Sequence, residues 1–192
     1  MLNDQEQIRT LLHVFQDGYT RRDLSILDNF LELFTGDIEC IGTNGVKPGV
    51  DEWYLTRDTA RELVNGDWEY WGDLRLDVAS ASIHTRGEVG WIATTATVTK
   101  VFGTENYSKF LEFITKFIAD SPQSAERKLL YILRGGANTL YELRRSEKFI
   151  WPLRFTAVVV REKEGWKFSQ IHFSFPTVYF PDVRVDDDIL NA

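Results

Sequence analysis

The sequence predicts an α+β fold, and three observations carry that prediction. Residues 4–34 hold apolar side chains at helical spacing. Residues 68–102 and 149–176 run rich in Trp, Thr, Val, Ile and Phe, broken by turn residues. A further helical block lies between those two runs. Helices segregated from a largely antiparallel sheet define the class.

Taken in order, the first helix is expected over residues 4–17. Ile8, Leu11, Leu12 and Phe15 form its stripe, Asn3 or Asp4 is its N-cap, and Gly18 fits its end. A second helix is expected at about 23–34, where Asp23 accepts hydrogen bonds from the free N–H groups of the first turn. "DIECIGTNG" reads as a short strand ending in a turn at Asn44-Gly45. "KPGVDEWYLTRDTARELV" reads as a third helix from about 50, closed by Asn65-Gly66. One or two strands are expected at 68–84, a turn at 85–88, and a long strand at 89–102.

The pattern then changes. "NYSKFLEFITKFIAD" places Phe110, Leu111, Ile114, Phe117 and Ile118 at helical spacing. Ser121-Pro122 interrupts, and helical stretches continue around Gly135-Gly136. Two strands, "FIWPLRFTAVVVREKEG" and "WKFSQIHFSF", close the pattern around a tight turn at about Glu162–Gly165. We expect a single domain over 1–192, with a helical insertion at about 104–148 and a loose acidic tail at about 182–192. The insertion's amphipathic stripes must be covered. Either it caps a pocket, with Gly135-Gly136 as a flexible joint, or it extends a dimer contact.

Composition narrows the function. A chain of 192 residues can bury a sizeable core. Its formal net charge of -7 disfavours nucleic acid and anionic membranes as partners. Cys40 is the single cysteine, so no intrachain disulfide can form, which permits a cytoplasmic location. "MLNDQEQIRTLL" is no secretory signal, and no window approaches the roughly 20 apolar residues of a membrane span. His13, His84 and His172 are scattered, so no metal site is expected. Gly135-Gly136 lacks the context of a nucleotide loop, and no cofactor is expected.

Two stretches carry a family resemblance. In "RRDLSILDNFLELFTGDIECIGT" a helix opens on Asp-Leu and runs into the first strand, and "GWKFSQIHFSFP" closes the fold. In order and spacing these resemble the SnoaL-like branch of the nuclear transport factor 2-like (NTF2-like) superfamily, over roughly residues 4–102 and 149–176. The resemblance implies a curved antiparallel sheet forming a cone with three N-terminal helices. It also implies a pocket on the concave face and a homodimer through the other. The ketosteroid isomerases of this superfamily use a strand carboxylate as base and a tyrosine on the first helix. The matching positions here are Gly42 and Phe15, which speaks against that mechanism.

The expected function is binding of a small, largely apolar molecule. Metal-independent proton transfer of isomerase, cyclase or dehydratase type would be the chemistry. The alternative is a noncatalytic dimeric binding or assembly module. His172 is the candidate acid–base, since its reference pKa lies near neutrality. Glu39 and Tyr19 are the candidate helpers. Phe15, Trp53, Trp71, Trp91, Trp166 and Ser174 are candidate ligand contacts. Each has an ordinary packing role as its alternative. Strand alternation puts Trp166, Phe168, Gln170, His172 and Ser174 on one side of the last strand. Lys167, Ser169, Ile171, Phe173 and Phe175 fall on the other.

Overall fold

The first helix, α1, spans Asp4–Arg21, four residues beyond its expected end. Asn3 and Glu6 form a reciprocal capping box at its start, and Arg22, at φ 50°, ends it in the left-handed region. Gly18 is therefore internal. It is there for packing: a Cβ at Gly18 would meet the Phe30 ring at 2.4 Å and Trp68 at 3.2 Å. This computed structural model describes residues 3–101, 103, 105–145 and 148–175. The acidic tail expected at 182–192 lies outside the described residues.

The second helix is shorter than expected. A 3-10 turn at Leu24–Ile26, capped by Asp23, leads into α2 at Leu27–Leu31. Strand β1 then begins at Phe34 and runs to Ile41. The third helix starts later than expected, because the chain first forms the short strand β2 at Trp53–Tyr54. Helix α3 spans Arg57–Gly66 behind a Thr56 cap. Asn65-Gly66 does not close it. The helix widens instead into a π-helical turn at Asp67–Trp71, which ends at Gly72 with φ 145°, a conformation that favours glycine.

Strands β3 (Asp73–Leu76), β4 (Ser82–Arg86) and β5 (Val89–Val101) follow. Strand β6 (Lys148–Glu162) and β7 (Gly165–Ser174) form the closing hairpin. The sheet runs β2-β1-β7-β6-β5-β3, with β4 also paired to β5. It is curved and unclosed, and the architecture is α+β as the sequence predicts. One pair departs from the expected antiparallel pattern, since β1 runs parallel to β7.

Two compact units divide the chain: residues 1–98 with 151–192, and residues 99–150. In the first, α1 packs across β3, β4 and β7, and α3 packs on β1. Phe15 has no exposure and stands among rings. Tyr19, Phe168, Phe155 and Phe30 lie at centroid distances of 4.9, 5.2, 5.4 and 5.5 Å. Burying such rings is the main stabilising term, at about 25 cal/mol per Å² of apolar area.

The second unit is a helical hairpin of α4 (Glu105–Asp120) and α5 (Ala125–Arg145). Phe117 of α4 meets Tyr131 of α5 at 4.9 Å between ring centres. Helix α5 runs unbroken through Gly135-Gly136, so these glycines are not the joint the sequence implied. A Cβ at Gly135 would meet Phe110 at 2.6 Å, and close helix approach explains the residue.

Gly18→Ala tests the packing account. Alanine gains about 1 kcal/mol of helix propensity. Forcing a methyl group into the Phe30 ring costs about 1–3 kcal/mol. We expect net destabilisation, read as a lower urea midpoint at unchanged slope.

Candidate functional site

The last strand is not a simple alternation. Val158 and Val159 of β6 pair with Gln170 and Phe168 of β7, leaving Ser169 as an extra residue. This bulge switches faces. Trp166 and Phe168 are buried before it, and Ile171 and Phe173 are buried after it. The expected grouping of Trp166 with His172 and Ser174 is thus corrected: after the bulge, Gln170, His172 and Ser174 face away from the core.

His172 is half-buried there, opposite Ile41 of β1 and Thr156 of β6. Its partial burial, and then the Arg154 charge, hold its pKa below the ordinary value and favour neutral imidazole. Glu39 shares this outer face, accepting from the Trp53 indole at 2.8 Å and from the Gln170 amide. His172 and Glu39 are therefore brought to one face, while Tyr19 is not.

Tyr19 has no exposure and lies on the core side of α1. Its hydroxyl donates to Asp67 Oδ2 at 2.9 Å. Asp67 opens the π-helical turn, which carries Trp71 one turn further on. Although Asp67 as a residue is partly accessible, its carboxyl end is held against this fully buried hydroxyl. Burial pushes its pKa up to about 7, the Tyr19 hydrogen bond opposes that rise, and the Glu52 charge adds to it. Burial, followed by Asp67, also raises the Tyr19 phenol.

Glu52 reaches the same place from the loop between β1 and β2. It accepts from the Asn44 backbone N–H at 2.9 Å and the Asn44 side-chain amide at 3.0 Å. Gly42 makes room: a Cβ there would lie 2.4 Å from Glu52 Oε2. Glu52 thus places a carboxylate beside Gly42. Together Gly42, Glu52, Leu63, Asp67, Trp71 and Phe173 help line a chamber of about 110 Å³. A wider depression of about 510 Å³ at the β6–β7 turn is walled by exposed charged residues of both signs, Glu88, Arg161, Glu162, Lys163 and Glu164, and has no apolar wall.

The other expected contacts are dispersed. Phe15 is sealed in the aromatic core. Trp91 is 45% exposed and stacks on His84 at 5.5 Å. Trp166 is buried with Arg161 over its ring, and Ser174 is half-buried near the end of β7. Trp71 alone of the expected tryptophans lines the chamber. Sequence reasoning missed Asp67 and Glu52. Asp67 follows Asn65-Gly66, which reads as a helix stop, and Glu52 sits in a segment that reads as helix.

Cys40 offers no nucleophile, since burial and then the Asp67 and Glu39 charges push its thiol pKa far up. Among the described residues, no group of three or more His, Cys, Asp or Glu could hold a metal ion. No described helix is long and apolar enough to cross a membrane.

No protein-family model matches the chain, and no curated protein matches it in sequence. Solved structures do match. An NTF2-like protein with a cystatin-like fold from Novosphingobium aromaticivorans is 12% identical at a TM-score of 0.56, covering 97% of this chain and 88% of that one. A Streptomyces avermitilis protein, provisionally named a dehydratase of the NTF2-like family, is 13% identical at 0.56, covering 91% and 97%. A Xanthomonas campestris protein, provisionally named a calcium/calmodulin-dependent protein kinase II association domain, is 9% identical at 0.55, covering 90% and 87%. The chain has the cystatin-like fold of these NTF2-like structures.

Asp67 sets a pH dependence whose sign can be checked. Its folded pKa, about 7, lies above the unfolded value near 3.8. The fold therefore holds the extra proton between roughly pH 4 and 7, and that stability is lost as pH rises through this window. Asp67→Asn, which mimics the protonated form, should match wild type near pH 4. It should exceed wild type at pH 8 by on the order of 2–4 kcal/mol in chemical denaturation.

Proposed function

We propose that this chain binds a small molecule in the Tyr19–Asp67 chamber and exchanges a proton with it through Asp67. The observation that carries this reading is the part-buried Tyr19–Asp67 hydrogen bond beside a walled space that Asp67 shares with Glu52. A neutral carboxylic acid near pH 7 can protonate a leaving oxygen or a carbonyl, and its conjugate base can remove a proton. Tyr19 fixes the orientation of the Asp67 carboxyl and is a positioning residue. Metal-independent isomerase, cyclase or dehydratase chemistry is compatible with these parts. The dehydratase name of one structural neighbour adds a fold-level analogy only.

The size of the chamber limits the ligand. Drug-sized sites measure about 300–1,000 Å³, and a cavity of roughly 150 Å³ takes benzene. At about 110 Å³, this chamber admits a few heavy atoms or one end of a longer molecule. Leu63, Trp71 and Phe173 provide its apolar wall, consistent with the apolar ligand expected from the sequence.

Fragments of about four to eight non-hydrogen atoms, screened by NMR, test the site. At least one should shift both the Trp71 indole and Asp67 carboxyl signals. Asp67→Asn should weaken that fragment about tenfold, the worth of one hydrogen bond to a charged group. A screen that moves neither signal overturns the proposal.

The second reading is a homodimeric assembly module, and the helical hairpin favours it. Tyr131 turns toward α4, while Leu129 and Leu133 lie two residues to either side and so point the opposite way. They are 59% and 67% exposed. Four acidic and four basic residues balance over 105–133, which suits a second copy of the hairpin better than a charged surface. If this face pairs, wild type sediments as a dimer and the Leu129→Gln/Leu133→Gln double variant as a monomer. A dimer that survives the double variant removes the hairpin from the interface.

A further inference from the structure

Within the chamber of the proposed function, we infer that the ligand presents a small organic cation, a protonated amine or amidine on an apolar stem, to Asp67 and Glu52. This inference rests on that site being a binding site, and it adds the charge and class of the ligand.

The argument starts from the walls. Two carboxyl groups, Glu52 and Asp67, line one small space, and none of the side chains lining it is basic. Two like charges in one confined space repel, and the Glu52 charge helps hold the Asp67 pKa up. An anionic ligand would add to that repulsion. A neutral ligand leaves it in place. A cation lets both carboxyls ionise together, so it is the occupant with the largest electrostatic gain. The two groups are also prepared unequally. Glu52 already accepts from Asn44 on both of its oxygens, so its position is fixed. Among the described residues, only the Tyr19 hydroxyl donates to the Asp67 carboxyl, through Oδ2. Oδ1 is the acceptor left for a ligand. Trp71 and Phe173, at 5.3 Å between ring centres, add aromatic surface, which favours cations carrying an apolar body.

Binding then moves a proton with a defined balance. Below pH 7 Asp67 carries a proton that the bound cation displaces. The Asp67 O–H bond breaks, the proton passes to buffer, and a carboxylate–ammonium pair remains. A neutral amine would take that same proton itself, forming N–H as O–H breaks. The titratable groups facing Asp67 are Tyr19 from α1, Cys40 from β1, Glu52 from the loop, and Tyr54 from β2. Tyr19, Cys40 and Tyr54 are all pushed upward by burial, so they stay neutral between pH 6 and 8.

The test uses the full chain with three probes of one size: propylammonium, propan-1-ol and propionate. Calorimetry in two buffers of different ionisation enthalpy counts protons. Propylammonium should bind and the other two should not. It should release close to one proton at pH 6 and almost none at pH 8, with affinity rising about tenfold between them. Asp67→Asn should abolish the release and weaken binding at pH 8 at least tenfold. Trp71→Leu, which leaves both carboxyls in place, should keep the proton release while weakening affinity. Propan-1-ol binding where propylammonium does not would overturn the cation inference and leave the small-molecule site standing. If no probe binds and none moves the Asp67 signal, both readings fall.

Discussion

Everything in the sheet unit depends on filling the space between α1 and the sheet with aromatic rings. Phe15 is the centre of that filling, touched by rings from α1, α2, β6 and β7. Close packing leaves little freedom once such rings are placed. Gly18 exists because Phe30 needs its room. Tyr19 is locked by Phe15 on one side and by Trp68, edge-on at 6.3 Å, on another. A tyrosine so confined must find a partner for its hydroxyl, and Asp67 is that partner.

The chamber is what the aromatic filling leaves over. It lies at the margin of the core, where the apolar walls of Trp71 and Phe173 give way to the polar loop of Gly42, Asn44 and Glu52. A carboxyl at such a margin is desolvated without being sealed. That combination raises the Asp67 pKa while the residue stays partly accessible. The outer sheet face follows different rules. Trp53 and Gln170 both donate to Glu39 there, and partial burial, then the Arg154 charge, lower the His172 pKa.

The same fold is found in structural neighbours that carry a dehydratase name and an association-domain name. Architecture therefore does not choose between chemistry and assembly, and the decision rests on particular side chains. The two readings also call on separate units: Asp67 belongs to the sheet unit, and the exposed leucines of α5 to the helical hairpin. One chain can serve both without conflict.

The sequence by itself determined the α+β class, the long strands β5, β6 and β7, the helical block at 105–145 and the apolar stripe of α1. Each is a periodic signal summed over many residues, which local physics enforces. Tertiary structure decided the rest at single positions. Gly18 reads as a helix stop, yet Phe30 needs it inside the helix. Asn65-Gly66 reads as another stop, yet the chain continues in a π turn that delivers Asp67. One bulge at Ser169 sends His172 to the outer face. No periodicity marks these positions, because each was set by a contact with residues distant in the chain. Of the residues at the candidate site, Tyr19 and Trp71 could be singled out by residue type. Asp67 and Glu52 could not, because only the fold brings them to one chamber.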